Sequence, residues 1–301
     1  MDHSVPRRDF GPLTVFFGEK NGKYPDGNQL TVRGRDTLAV FDSPLVANRI
    51  GAEFDEADLC ILGHVHEDHI TGLHRIPGAA VHAHEADIDA VRSWEGLARH
   101  YGYGEQALRQ MKAKVEADFH FHPRPDAHAY RDGARWDLGG VTVQAIHMPG
   151  HTSGHCVLLV EPMGVAFIGD IDLSGFGPYY GDGTSNLAQF RQTLKRVADV
   201  PASVWVTSHH RGAVTERSNF LSALSAFASK IDQRSQTLLE RLAGEPKSLD
   251  ELVRLRLLYP TDYQELWVDF VERRTIAQHL DELLGEGRIE RLEDGRFLKR
   301  G

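Results

Sequence analysis

Short apolar runs punctuated by Gly, Pro, Asp and Asn fill the first two thirds of the chain, and apolar residues at helical spacing fill the last third. Runs rich in Val, Leu, Ile and Phe predict strands over residues 13–17, 29–33, 37–41, 59–62 and 79–83. A second set follows over 141–146, 156–160, 165–170 and 203–207. Between the two sets, residues 87–117 are mostly helical in pattern and carry Trp94, Tyr101 and Tyr103 around the interruption of Gly102 and Gly104. Core packing is the first reading of these aromatics, and a cap lining a substrate cleft is the second. Leu187, Phe190, Leu194 and Val197 mark a further helix over 187–198 that serves the sheet.

The last third changes character. Leu221, Leu224, Phe227, Ile231, Leu238 and Leu242 predict one long helix over 218–242, ended by Gly244 and Pro246. Ser248 and Glu251 have the separation of a capping box, and another helix is expected over about 274–284, closed by Gly285. Residues 288–298 alternate around Asp294-Gly295, a strong hairpin signal. The expected division is therefore 1–217 as a catalytic unit and 218–301 as a connecting helix plus a small terminal unit.

Composition narrows the partners. The chain has 301 residues, about twice a common domain length, and 41% hydrophobic residues are enough for a substantial core. A formal charge of −9 gives no general attraction for polyanions and weighs against nucleic acid as a partner. Residues 232–301 hold 15 acidic and 12 basic side chains, where a nucleic-acid module should be basic. Packing on the catalytic unit, narrowing its cleft or joining subunits as a homodimer, is the expected role of this part. Cys60 and Cys156 sit in apolar runs and read as buried thiols of a reducing, cytoplasmic setting. No apolar run is long enough for a signal peptide or a membrane span, so a soluble protein is expected.

The chemistry concentrates at His64-Val65-His66-Glu67-Asp68-His69. Imidazole and carboxylate are ligands that borderline divalent metals prefer, and a chance H-x-H-x-D-H in this composition is roughly a 0.4% event. On an extended segment His64 and His66 point to one side, while Asp68 and His69 begin a turn and reach a second position. Three later strand ends supply more: Gly150-His151, Gly169-Asp170 and Ser208-His209-His210. Asp170, placed beside two cations, could bridge them. His82 and His84 read as ordinary edge residues, and His120, His122 and His128 as a solvated edge.

H-x-H-x-D-H, then P-G-H-T-x-G-H, an apolar run ending in Gly-Asp, and a strand ending in Ser-His together resemble the metallo-β-lactamase-fold hydrolase superfamily. The resemblance covers about the first 215 residues, with Gly27-Asn28 and Phe41-Asp42-Ser43-Pro44 matching early strand motifs. It implies an α/β fold, a four-layer αββα sandwich. It also implies that His64, His66 and His151 hold one metal, Asp68, His69 and His209 a second, and that Asp170 bridges them. Two positions depart from the pattern: Gly63 stands where Thr is common, and His210 where Gly is common. His209 is favoured over His210 as the ligand because it follows the strand directly. The C-terminal helices and hairpin resemble a winged helix, and the whole is similar to the β-lactamase-like protein 2 subgroup, which includes thioesterase-like and ribonuclease assignments.

Two such cations lower the pKa of a bridging water, and the resulting hydroxide attacks a carbonyl or phosphoryl centre. Asp68 binds metal and orients the nucleophile, which makes it the catalytic side chain. Zinc is the default, and iron or manganese suits the same ligands. The glycine- and aromatic-rich residues 171–181 are expected over the mouth of the site, with Tyr179, Tyr180 and His210 as candidates for substrate binding. The favoured function is hydrolysis of a small-molecule ester, thioester or lactone. The alternatives are a metal-dependent endoribonuclease or phosphodiesterase, and a metal-sensing DNA-binding regulator; a mononuclear iron dioxygenase fits part of the motif.

Overall fold

The computed structural model describes residues 5–300. Seven strands lie side by side in chain order: β1 (Arg7–Phe10), β2 (Leu13–Phe16), β3 (Gln29–Arg33), β4 (Leu38–Phe41), β5 (Leu59–Ile61), β6 (Ala80–His84) and β7 (His128–Tyr130). Pairing is antiparallel from β1 to β4 and parallel from β4 to β7. A second sheet of six runs from β8 (Arg135–Asp137) through β9 (Thr142–His147), β10 (Cys156–Glu161), β11 (Val165–Phe167) and β12 (Val204–Val206) to β13 (Ala213–Val214). Only β11 and β12 are parallel within it.

Period-two alternation builds the layers. In β4, Ala39 and Phe41 join the core between the sheets, while Leu38 and Val40 enter a separate core under helices. In β10, Cys156, Leu158 and Val160 face the partner sheet, while Val157 and Leu159 face the helices on the far side. Apart from Glu161 at the end of β10, these strands are apolar because both faces are covered. One outer layer holds the helices Ile88–Arg92, Trp94–Tyr101 and Glu105–Asp118. The other holds Leu187–Arg196 and the first half of Arg217–Arg241, where Trp205 stacks on Phe220 with ring centroids 4.3 Å apart. The result is the four-layer αββα order.

Residues 87–117, read as mostly helical around an interruption at Gly102 and Gly104, form three helices, with a further break at Ser93. Ser93, extended at φ −157°, accepts from the Gly96 amide and starts the second, and Gly102, left-handed at φ +68°, ends it. The segment Arg7–Phe10 forms a strand without an apolar run to announce it; only one of its four residues is apolar, as suits an exposed sheet edge.

The C-terminal part packs a core of its own from Leu238, Leu239, Leu242, Leu252, Val253, Ile276, Leu280, Leu283 and Ile289. These come from the long helix, the helices Leu249–Arg254 and Val268–Gly285, and the hairpin β14 (Ile289–Arg291) and β15 (Phe297–Lys299). Ser248 and Glu251 form the capping box. No helix among the described residues is long and apolar enough to cross a membrane.

Strand register sets up the site. Phe41 lies beside Ile61 and Ile61 beside His82, while Phe167 lies beside Val206. Parallel neighbours leave their sheets at the same edge, so residues 42, 62–64, 168–170 and 207–209 emerge together.

Candidate metal centre

Each chain segment delivers its side chains by a local device. His66 is extended, and one turn of 3₁₀ helix over Glu67–His69 swings Asp68 and His69 to the other side. His64 Nε2 lies 3.2 Å from His66 Nδ1. The loop between β9 and β10 brings His151 Nε2 to 3.1 Å from the same atom. That loop needs Gly150, at φ +130°, because a Cβ there would sit 2.3 Å from the Phe190 Cα. His209 Nε2 is 3.2 Å from Asp68 Oδ2 and 3.4 Å from His69 Nε2. His210, at φ +61°, turns away, and its Nε2 is 3.7 Å from Asp172 Oδ2.

Asp170 stands between the two groups. Its Oδ2 is 3.3 Å from His151 Nε2 and 3.9 Å from His64 Nε2. Its Oδ1 is 3.2 Å from His69 Nε2 and 3.5 Å from His209 Nε2. One donor from each of His64, His66, His151 and Asp170 falls within a 4.8 Å cluster, and so does one from each of Asp68, His69 and His209.

The outward nitrogens decide what the inward ones can hold. His66 Nε2 donates to Asp182 Oδ2 at 2.9 Å and His69 Nδ1 to Asp42 Oδ2 at 2.8 Å. His151 Nδ1 donates to the Tyr179 carbonyl at 2.9 Å and His209 Nδ1 to the Gly22 carbonyl at 2.7 Å. Carboxylate and carbonyl oxygens only accept, so these four outward nitrogens carry protons. Each inward nitrogen then holds a lone pair, which takes either a second proton or a cation. Burial opposes charge on His66, yet the bonded Asp182 carboxylate outweighs it and lifts the pKa to about 9. Burial likewise opposes charge on His209, and Asp170 and Asp68 lift it to about 9. Burial and the neighbouring imidazole of His69 push His64 well down.

Asp170 Oδ1, buried, has no hydrogen-bond partner. An orphaned carboxylate oxygen facing converging imidazole nitrogens is a donor set that fits divalent cations. Outward N–H groups fixed on carboxylate and carbonyl are the usual support of such a set.

Several supports stand behind the ligands, Asp42 among them from the early Phe41-Asp42-Ser43-Pro44 motif. Asp42 also accepts from the Gly63 amide at 2.6 Å. Asp87 accepts from Thr152 Oγ1 at 2.6 Å and the Gly154 amide at 2.8 Å, anchoring the His151 loop. Glu67, beside Asp68, accepts from Tyr24 at 3.1 Å and Tyr101 at 2.7 Å. Tyr103 donates to Asp182 at 2.6 Å. Tyr101 and Tyr103 are thus buried in the helical core and also brace the site.

Residues 171–181 correct an expectation. Tyr180 is 0% exposed and its hydroxyl meets His279 Nε2 at 2.8 Å, so it faces the C-terminal part rather than a substrate. The Tyr179 hydroxyl donates to Asp182 at 3.1 Å and is likewise engaged, although its ring lies 5.8 Å from that of His151. Alternation along the chain sends these neighbours to opposite sides. His120, His122 and His128 are exposed, and His84 stacks on His147 at 4.2 Å, away from the cluster. Cys60 and Cys156 are buried free thiols. A cavity of about 550 Å³ lined by Arg191, Asp232, Glu282 and Arg288 contains none of these site residues.

Residues 58–209, which run from the strand before His64 to His209 itself, match the sequence profile of the metallo-beta-lactamase superfamily. The chain belongs to that superfamily. This metallo-beta-lactamase superfamily member is 28% identical over 186 residues to an atrochrysone carboxyl ACP thioesterase of Pseudocercospora fijiensis, a match covering 60% of this chain and 51% of that protein. The chain thus spans about half the length of that relative. It is 24% identical over 236 residues to the beta-lactamase-like protein 2 homolog of Drosophila melanogaster, covering 77% of this chain and 70% of that protein. A solved metallo-beta-lactamase family protein of Thermus thermophilus superposes with a TM-score of 0.72 at 23% identity, over 96% of this chain and 99% of that one. That likeness carries the fold alone, and the superfamily placement makes the chain a member of a family of hydrolytic enzymes.

Proposed function

We propose that this protein is a dinuclear metal-dependent hydrolase of a small ester, thioester or lactone. The observation that carries the reading is Asp170, whose two oxygens each face a different imidazole group at 3.2–3.9 Å. His64, His66 and His151 would hold one divalent cation and Asp68, His69 and His209 the other, with Asp170 shared. Zinc is the expected occupant, with iron and manganese compatible with the same donors. Two cations bound there would polarise a carbonyl oxygen and make water acidic enough to attack at neutral pH.

The chain's own groups do the rest. Asp68, whose Oδ2 lies 3.2 Å from His209 Nε2 and 3.7 Å from His69 Nε2, would accept a hydrogen bond from the attacking water and aim it. Asp42, Asp182, Tyr179 and Gly22 hold the imidazole rings in one orientation through the outward nitrogens. His210, half-buried at the rim beside Asp172, is the remaining candidate for substrate contact. Residues 1–217 would form the catalytic unit and 218–301 a connecting helix with a winged-helix-like unit. Two free thiols support a cytoplasmic setting. The fungal relative's name, a thioesterase, favours a thioester within this class.

The test is turnover of a panel of thioesters, lactones, β-lactams, phosphodiesters and RNA by protein of measured metal content. Thioester or lactone turnover that chelation abolishes and zinc restores supports the reading. Chelation-insensitive turnover overturns it, and turnover of phosphodiesters or RNA alone replaces it with a nuclease.

A further inference from the structure

A buried cation from the C-terminal part reaches the segment that orients two of the imidazoles. Arg234, 7% exposed on the helix Arg217–Arg241, donates through Nη2 to the Phe176 carbonyl at 2.7 Å. Its Nη1 donates to the Pro178 carbonyl and to the Tyr180 hydroxyl, the latter at 3.0 Å. The guanidinium also lies over the Phe176 and Tyr180 rings at 5.6 and 5.4 Å. His279 and Gln278 complete the hold: His279 takes the Tyr180 hydroxyl at 2.8 Å, and Gln278 Nε2 donates to the Tyr180 carbonyl at 2.9 Å. Ser235 braces the other side of the His279 ring at 2.8 Å.

Within this clamped stretch sit the two acceptors that fix one imidazole group. Tyr179, between Pro178 and Tyr180, gives its carbonyl to His151 Nδ1 at 2.9 Å. Asp182, two residues beyond Tyr180, accepts from His66 Nε2 at 2.9 Å. The second group takes its acceptors elsewhere, His69 from Asp42 and His209 from Gly22, neither of which Arg234 touches. The coupling is therefore one-sided.

We infer that Arg234 is a positioning residue through which the C-terminal part sets the affinity of the His64, His66 and His151 position for its cation, leaving the Asp68, His69 and His209 position largely independent. This rests on the proposed assignment of those residues as ligands. A planar fork on two carbonyls and a hydroxyl does this where a point charge does not. Losing such outer support lowers metal affinity by about 10- to 100-fold.

Cobalt(II) titration of the full chain tests it, with binding isotherms read alongside paramagnetic proton NMR of the exchangeable imidazole N–H signals. Wild type binds two cobalt ions and shows five such signals, from His64, His66, His151, His69 and His209; failure at this step sinks the ligand assignment itself. In Arg234→Met one of the two affinities falls by about 10- to 100-fold, and the His66 and His151 signals exchange with solvent while those of His69 and His209 persist. Equal weakening of both positions, or unchanged affinities and signals, overturns the inference. Should Arg234→Met not fold, Arg234→Lys keeps the charge without the fork and must show the same selective loss, or the inference fails.

Discussion

Replacing Asp42 by Asn tests the outer support of the other imidazole group. Asp42 Oδ1 accepts from the Gly63 amide at 2.6 Å and Oδ2 from His69 Nδ1 at 2.8 Å, with the residue 1% exposed. Both partners are donors, so a carboxylate satisfies both and an amide satisfies one. Asn also tolerates the left-handed φ of +54° found here, so the backbone is not the perturbation. Whichever way the amide turns, its NH₂ faces an N–H inside the protein, at a cost of about 1–3 kcal/mol in stability. If the amide oxygen stays with Gly63, His69 Nδ1 loses its acceptor and the ring loses both orientation and basicity at Nε2. Metal affinity should then fall about 10- to 100-fold, or roughly 1.4–2.7 kcal/mol. Competition against a chromophoric chelator measures the affinity, and urea denaturation of the metal-free protein separates the stability term. Metal bound as tightly by Asp42→Asn as by wild type would refute the argument that outward acceptors govern this donor set.

Other outcomes follow from the same geometry. Asp170→Asn should lower the occupancy of both metal positions together with turnover, as elemental analysis and thioester assay would show; full occupancy with unaltered turnover contradicts a shared carboxylate. Tyr103→Phe removes one donor to Asp182, leaving His66 and Tyr179 on that carboxylate, so a loss of stability of about 1 kcal/mol is expected, read by denaturant midpoint. Burial, with the Arg234 and Arg191 charges, pushes the His279 pKa down to about 3, while in the unfolded chain it returns to about 6.5. The unfolded state therefore binds the extra proton in the window between these values, and the stability from neutral His279 is full above pH 6.5 and lost as pH falls towards 3. Between pH 7 and 5 this costs roughly 2 kcal/mol, a slope that His279→Gln should flatten in denaturation curves taken across that range.

What was legible in the sequence divides by how far apart the interacting residues lie. His64, His66, Asp68 and His69 share six residues, and His151, Asp170 and His209 each follow a strand whose apolar run announces where it ends. Their convergence follows from register, since parallel neighbours such as β11 and β12 release their chains at one edge. The acceptors behind them were less legible: Asp42 falls in the early Phe41-Asp42-Ser43-Pro44 motif with no sign of its partner, and Asp182 falls in none. Asp42 lies 27 residues from His69 and Asp182 lies 116 from His66, and a single carboxylate in a turn has the same local signature whether it caps a helix or holds a ligand. Tyr179 and Tyr180 show the same limit from another side. Both sit in one aromatic stretch, yet only the folded backbone decides that Tyr179 turns its carbonyl to His151 while Tyr180 turns its ring to Arg234 and His279. Helical periodicity over 218–242 predicts a helix correctly but says nothing of Arg234, because a basic residue in an amphipathic pattern reads as solvated until a carbonyl-rich loop is seen packed against it. The ligands of such a centre are written locally, and the groups that hold them in place are written across the whole length of the chain. The C-terminal part therefore bears on the metal centre through contacts that no motif search of the first 215 residues would reach.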